Sequence, residues 1–231
     1  MKSLNCIRSL AIFDLDGTLA DTREDLCTGI NLMRKHFNAP PLPLEVVTSY
    51  IGDGIKMLVE RSLQDIVEKP SIEEAVKLNY KFYREHIVDK TKLYTGVFEG
   101  LSNLKENGFC FALITNKPYE AALYILKYFN IEPFFDVIIG GDSGFALKPS
   151  PQSIFHSVET INKKYNVSLF VSEDCWIIGD NHTDIAAAKN ANAKSIFVTY
   201  GFGKLLDIKP DVICSSFDEI VSYLLNLSNK D

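Results

Sequence analysis

Long apolar runs are absent from this 231-residue chain. None approaches the roughly 18 residues that a membrane-spanning helix requires. The first, from Ser9 to Phe13, stops at Asp14 and is too short for the core of a signal peptide. Cysteine is sparse: Cys6, Cys27, Cys110, Cys175 and Cys214 are odd in number, far apart and without a C-x-x-C pair. Neither a disulfide framework nor a zinc site is expected, and reduced thiols buried in a cytoplasmic protein are the plainer reading. A basic excess is lacking too. With 24 Lys and Arg against 30 Asp and Glu, the formal net charge is −6, the wrong sign for a chain whose main task is gripping a polyphosphate backbone. Nucleic acid and membranes are therefore not expected partners. What is present is a globular composition, 46% apolar and 23% charged, in a length that allows one large domain or one domain with an insertion.

Short β-rich runs at 10–13, 109–115, 137–139, 176–179 and 195–199 are separated by stretches long enough for crossover helices, the pattern of a parallel sheet. Between the first run and the second the period changes. Leu26, Ile30, Met33 and Phe37 recur at helical spacing, as do Ile55, Leu58, Val59, Leu63 and Ile66, and again Ile72, Val76, Tyr80, Tyr83 and Ile87. Pro40, Pro41 and Pro43 make a connector after the first of these helices. The expectation is an α/β fold, a doubly wound, Rossmann-like parallel sheet formed by residues 1–19 and 91–231, with an α-helical cap domain, residues 20–90, inserted after the first strand. Ligands of open α/β sheets bind beyond the carboxyl ends of the strands, so such an insertion would cover the site. Residues 228–231 are expected to be a frayed tail.

Three strand ends and one segment before a helix carry the polar residues that matter. The first reads Asp14-Leu15-Asp16-Gly17-Thr18. With period two, Asp14 and Asp16 point the same way while Leu15 turns into the core, provided extended geometry persists. Two carboxylates 4 Å apart repel by roughly 4 kcal/mol at an effective dielectric of 20, so the pair calls for a proton, a metal or a nearby cation. A solvated turn or a helix cap would also account for a bare pair of aspartates. A second acidic cluster, Gly179-Asp180-Asn181-His182-Thr183-Asp184, also follows an apolar strand; Asn181 or Thr183 can cap the helix beyond it, but capping does not explain Asp180 and Asp184 together. Thr115-Asn116-Lys117-Pro118 places a hydroxyl and an amide before a helix N-terminus, where a phosphate oxygen fits. Lys148, ahead of a helix-start proline at 149, is either a solvated surface charge or the cation that the carboxylates need.

In this order and on these elements the four segments resemble the haloacid dehalogenase superfamily of phosphohydrolases. Tyr50-Ile51-Gly52-Asp53-Gly54, Leu93-Tyr94-Thr95-Gly96-Val97, Gly140-Gly141-Asp142 and Tyr200-Gly201 extend the likeness to its phosphoglycolate phosphatase branch over nearly the whole chain. The resemblance implies a phosphatase that cleaves 2-phosphoglycolate through an aspartyl-phosphate. Asp14 would be the nucleophile and Asp16 the general acid–base. Mg2+ would be held by the Asp14 carboxylate, the Asp16 main-chain carbonyl and Asp180, with Asp184 orienting a metal-bound water or Lys148. Thr115, the Asn116 backbone and Lys148 would bind the phosphoryl group. Tyr50, Gly52, Asp53 and Gly54 are the candidate substrate-specificity residues; Lys56 and Arg61 read mainly as solvated helix positions, and Thr22 with Asp25 as a capping box. The expected partner is a small phosphorylated metabolite, and a monomer or a homodimer fits. A sugar-phosphate or pyrophosphate hydrolase, a phosphosugar mutase and a non-catalytic phosphoacceptor or binding protein are the alternatives.

Overall fold

The computed structural model describes residues 7–68 and 70–227; Cys6 and the expected tail lie outside them. In chain order the elements are β1 (Ser9–Phe13), β2 (Ala20–Asp21), α1 (Arg23–His36), α2 (Leu44–Thr48), α3 (Ile55–Ser62), α4 (Ile72–Glu85), β3 (Lys92–Leu93), α5 (Val97–Glu106), β4 (Phe109–Ile114) and α6 (Tyr119–Tyr128). After one 3-10 turn at Glu132–Phe134 come β5 (Val137–Ile139), α7 (Gln152–Tyr165), α8 (Val171–Asp174), β6 (Cys175–Gly179), α9 (His182–Ala191), β7 (Lys194–Val198), β8 (Val212–Cys214) and α10 (Phe217–Leu227).

Six of the strands form one parallel sheet in the order β5-β4-β1-β6-β7-β8. Both faces are covered, which is why these strands read as continuous apolar runs rather than as alternating ones. Ala11 and Phe13 face a cluster completed by Val97 and Leu101 of α5, Ile125 of α6, and Phe217 and Ile220 of α10. Leu10 and Ile12 face the opposite cluster with Ile154 and Val158 of α7 and Ala187 and Ala188 of α9. Strand order runs one way from β1 to β4 and the other way from β1 to β6, so the crevice at the carboxyl end of β1 is the topological switch point.

The interval between β1 and β4 is helical, as its periodicity indicates. Cys27, Ile30, Met33, Val47, Leu58, Val59, Leu63 and Ala75 form a cluster of their own. The third stripe divides, however: Tyr83 and Ile87 pack into the sheet's cluster. The proline-rich connector leads into a fourth helix, the five-residue α2, too short to show a period. Arg34 of α1 is fully buried and anchors this layer, bonding Asp65 through two nitrogens at 2.7 Å, Pro40 O at 2.7 Å and Ser62 O.

Three short strands escape the sequence reading: β8, and the antiparallel pair β2 and β3, which aligns Ala20 with Leu93 and Asp21 with Lys92. Two or three residues carry no alternation to detect. The β2–β3 ladder brings together the two crossings of the chain between sheet and helical layer. Asp25 clasps the same place: its carboxylate is 1% exposed and accepts from Lys90 N at 3.0 and 3.1 Å, Thr91 N at 2.7 Å and Thr91 Oγ1 at 2.7 Å. The capping box expected at the start of α1 is thus not formed. Asp25 is drawn across to the second crossing, and Thr22, the N-cap residue, makes no side-chain cap bond.

Cys27, Cys110, Cys175 and Cys214 are free and buried. Among the described residues no helix is long and apolar enough to cross a membrane. Truncating Asp25 would leave three donors of the second crossing without their acceptor. Asp25→Ala is therefore expected to lower unfolding free energy by about 1–3 kcal/mol, read as a lower urea midpoint with unchanged m; an unchanged midpoint would show that the clasp carries no stability.

Candidate active site

Phe13 ends β1 in the core, and the next residues leave the sheet. Asp14 N still donates to Ile178 O at 3.0 Å, which fixes the start of the turn. Leu15 is fully buried, and Asp14 and Asp16 line the same cavity, as period two requires. Gly17 then turns at φ +84°, and a Cβ there would lie 1.9 Å from Asp180 Oδ2. Only glycine lets the β1 turn and the β6 turn come this close.

Lys148 arrives from the loop before α7. That helix starts at Gln152 with Pro151 as its N-cap, so the proline at 149 is not the helix start that the sequence indicated. Its ammonium lies 2.9 Å from Asp14 Oδ1, 2.6 Å from Asp184 Oδ1 and 2.9 Å from Ile114 O. Two of these contacts, to Asp184 and Ile114, are donated hydrogen bonds, and the one to Asp14 is an ion pair. Asp184 closes the capping box of α9: its Oδ2 accepts from Asn181 N at 3.0 Å, and the Asn181 side chain accepts from Thr183 N at 3.3 Å. Asp180 Oδ2 accepts from Phe202 N at 2.9 Å and Gly203 N at 2.7 Å.

Asp16 belongs to a different set of partners. Lys117 Nζ lies 2.8 and 3.0 Å from its two oxygens, and Thr22 Oγ1 donates to it at 2.6 Å. The sequence assigns Lys117 no role, and it gives Thr22 the pattern of a cap. The available signal was a lysine between a strand-end Thr-Asn and a proline, at the edge where four aspartates gather.

Thr115 is buried, and its Oγ1 accepts from Lys117 N at 3.2 Å. The Asn116 amide donates to Gly52 O at 2.9 Å and to Lys148 O at 3.2 Å, while its Oδ1 accepts from Lys148 N at 2.9 Å. One core side chain therefore holds both the 50–54 loop and the lysine loop. Of the four candidate specificity residues, Gly52 and Gly54 line the cavity. Tyr50 and Asp53 are outside its lining and brace the loop instead: Tyr50 O accepts from Arg61 Nη1 at 3.2 Å, and Asp53 Oδ2 pairs with Arg61 Nη2 at 2.6 Å. Lys56 is exposed on α3, 3.9 Å from Glu60.

The cavity measures about 50 Å³ and lies between the sheet edge and the helical layer, room for a few waters or a short anion. Burial is the largest influence on Asp14 and pushes its carboxyl up to about 6; Lys148 opposes this, and Asp184 and Asp16 add to it. Burial also holds Asp180 well above the usual carboxylate range, with Asp184 and Asp14 contributing and the bonds from Gly203 and Phe202 opposing. For Lys148 burial is outweighed by Asp14 and Asp184, and for Lys117 it is outweighed by Asp16, so both stay charged.

One oxygen from each of Asp14, Asp180 and Asp184 lies within 4.8 Å of the others. Asp14 Oδ1 is buried without an aligned hydrogen bond. Both Asp184 oxygens are taken, by Lys148 and Asn181, which leaves Asp14 and Asp180 as the carboxylates open to a cation. Such hard oxygen donors fit magnesium, calcium or manganese rather than zinc or copper.

The profile of one family, described as haloacid dehalogenase-like hydrolase, matches residues 11–198. This chain belongs to that family. It is 35% identical over 228 residues to a phosphoglycolate phosphatase of Psychrobacter arcticus, covering 94% of this chain and 96% of that one. A phosphoglycolate phosphatase of Neisseria meningitidis is 36% identical over 229 residues, with coverages of 95% and 94%. The crystal structure of a predicted phosphoglycolate phosphatase from Haemophilus somnus superposes with a TM-score of 0.84 at 29% identity, covering 94% and 98%. The haloacid dehalogenase-like chain is a phosphatase, and its α/β sheet is that of the family.

The Asp14 carboxyl titrates near 3.8 when free and near 6 when folded. Between those values the folded chain binds the extra proton, so this group's contribution to stability falls as pH rises through that window. In chelator, the difference in unfolding free energy between Asp14→Asn and the wild type is expected to move in the variant's favour from about pH 4 to about pH 6, measured by urea denaturation. A difference independent of pH would contradict the described environment of Asp14.

Proposed function

We propose that this phosphatase hydrolyses 2-phosphoglycolate to glycolate and phosphate through an aspartyl-phosphate on Asp14. The reading is carried by one observation: Asp14 and Asp16, two residues apart, face one cavity yet are held by different cations, Lys148 and Lys117. Two like carboxylates kept in different surroundings can divide a reaction into nucleophile and proton carrier. The small cavity of about 50 Å³ supports a short leaving group, and the phosphoglycolate phosphatases matched along nearly the whole chain support this particular one.

In this mechanism the Asp14 carboxylate attacks phosphorus, and the bridging oxygen departs as an alkoxide that takes a proton from Asp16. Asp16 then accepts a proton from the water that attacks the acyl phosphate. Lys148 lowers the repulsion between Asp14 and the incoming phosphoryl oxygens, and Asp184 holds that ammonium in place. The Thr115 hydroxyl and the Asn116 main chain bind phosphoryl oxygens; the Asn116 side chain is already occupied by Gly52 and Lys148. A divalent cation, Mg2+, would be held by the Asp14 and Asp180 carboxylates and the Asp16 carbonyl, and it would supply charge neutralisation at the phosphoryl group. Residues 20–90 act as a cap domain over a core of residues 1–19 and 91–231. The four buried free thiols support a reducing, cytoplasmic setting.

Release of inorganic phosphate from 2-phosphoglycolate, sugar phosphates and pyrophosphate tests the proposal, with magnesium and with chelator. The expected result is preference for 2-phosphoglycolate, loss of activity in chelator, and neither turnover nor phosphoenzyme from a folded Asp14→Asn variant. Wild-type turnover by that variant would overturn the nucleophile assignment. Return of the phosphoryl group to a product instead of release would indicate a mutase.

A further inference from the structure

We propose that Lys117, with Asn79 and Tyr83 of α4, forms a subsite for the negatively charged far end of the substrate, and so selects short phosphomonoesters that carry a carboxylate. The inference rests on the hydrolase reading above and assigns its specificity to a place in the cavity. Among the described residues lining that cavity, Lys117 has the one cationic side chain. Lys148 does not share this task, because it is outside the cavity lining and is held by Asp14, Asp184 and a main-chain carbonyl. Lys117 instead bonds a single carboxylate, Asp16.

Position supports the assignment. Asp16 must reach the bridging oxygen of the ester, so the leaving group lies on the Asp16 side of the phosphorus. Lys117 stands next to Asp16 on that side, 4.8 Å from the centre of the Tyr83 ring. In a phosphoglycolate the carboxylate carbon is two bonds from the bridging oxygen, so an ammonium bonded to Asp16 is also within reach of the carboxylate.

The helical wall here is otherwise apolar, made by Leu26, Ile51, Ile55 and Leu58. Its polar side chains are Asn79 and Tyr83, one turn apart on α4, and Tyr83 lies against the lysine. Asn79 is 3% exposed and lines the cavity. Tyr83 is likewise 3% exposed, and its hydroxyl is buried with no partner in hydrogen-bond geometry. An unsatisfied buried hydroxyl is destabilising, and a carboxylate at Lys117 would give it an acceptor. Apolar surroundings strengthen such charge-assisted bonds, which a neutral leaving group does not form.

The test compares 2-phosphoglycolate with 2-hydroxyethyl phosphate, an ester of the same length whose leaving group is uncharged (here the neutral ester), using the full chain with magnesium. The wild type is expected to prefer the carboxylate ester. Lys117→Met should reduce kcat/KM for 2-phosphoglycolate about 10- to 100-fold more than for the neutral ester, Lys117→Arg should recover part of the preference, and Tyr83→Phe should weaken it mainly through KM. Equal losses on both esters in Lys117→Met would show that the lysine serves Asp16 alone and would overturn the subsite. Wild-type preference for the neutral ester would overturn it as well, leaving the hydrolase reading intact; phosphate release from neither ester would overturn that reading. If Lys117→Met is inactive or unstable, titration calorimetry of both esters on Asp14→Asn, with and without Tyr83→Phe, decides: loss of affinity confined to the carboxylate ester supports the subsite, and equal affinities overturn it.

Discussion

Charge repulsion at the carboxyl edge of the sheet is the constraint around which this molecule is arranged. Asp14, Asp16, Asp180 and Asp184 converge at one end of β1 and β6, and two buried ammonium groups, Lys117 and Lys148, stand against them. Such a gathering is unfavourable in isolation, because each charge loses water and acquires like neighbours. The fold accepts it by distributing the acids: Asp184 to a helix cap and a lysine, Asp180 to two main-chain donors, Asp16 to a lysine and a threonine. Asp14 and Asp180 are left with raised proton affinity. A divalent cation and a phosphoryl group are complementary to what remains.

Much of this was legible in the sequence because parallel strands announce their own ends. An apolar run buried on both faces cannot continue into Asp or Thr, so the positions where 10–13, 109–115 and 176–179 give way to polar residues mark the sheet edge directly. Asp14, Asp16, Thr115 and Asp180 are found by that rule. Lys148 and Asp184 also stand out in the sequence, but that they act as a pair needed the family resemblance, since neither neighbour in the chain hints that a lysine and a helix-cap aspartate meet at 2.6 Å.

What escaped the sequence depends on distant packing. Lys117 is buried because α4 places Tyr83 against it, and nothing within ten residues encodes that contact. Thr22 has the look of a helix cap, but Asp16 competes for its hydroxyl and wins, since a carboxylate is a stronger acceptor than the bonds a cap offers. The 50–54 loop was read as a set of possible ligand contacts. Two of its residues prove to be occupied with Arg61, leaving the glycines, whose lack of side chain lets the loop reach Asn116.

The paired crossings at Asp25 and the β2–β3 ladder have a mechanical consequence. A body joined to another at two well-separated points is rigidly fixed, whereas one joined at two adjacent points retains a pivot. Here both joints lie within one short ladder and one carboxylate clasp, so the helical layer hangs from the sheet as a door hangs from a hinge pin. A swing about that line would be its cheapest displacement, and such an arc would part the 50–54 loop from Asn116 while leaving Thr22, beside the pin, near Asp16.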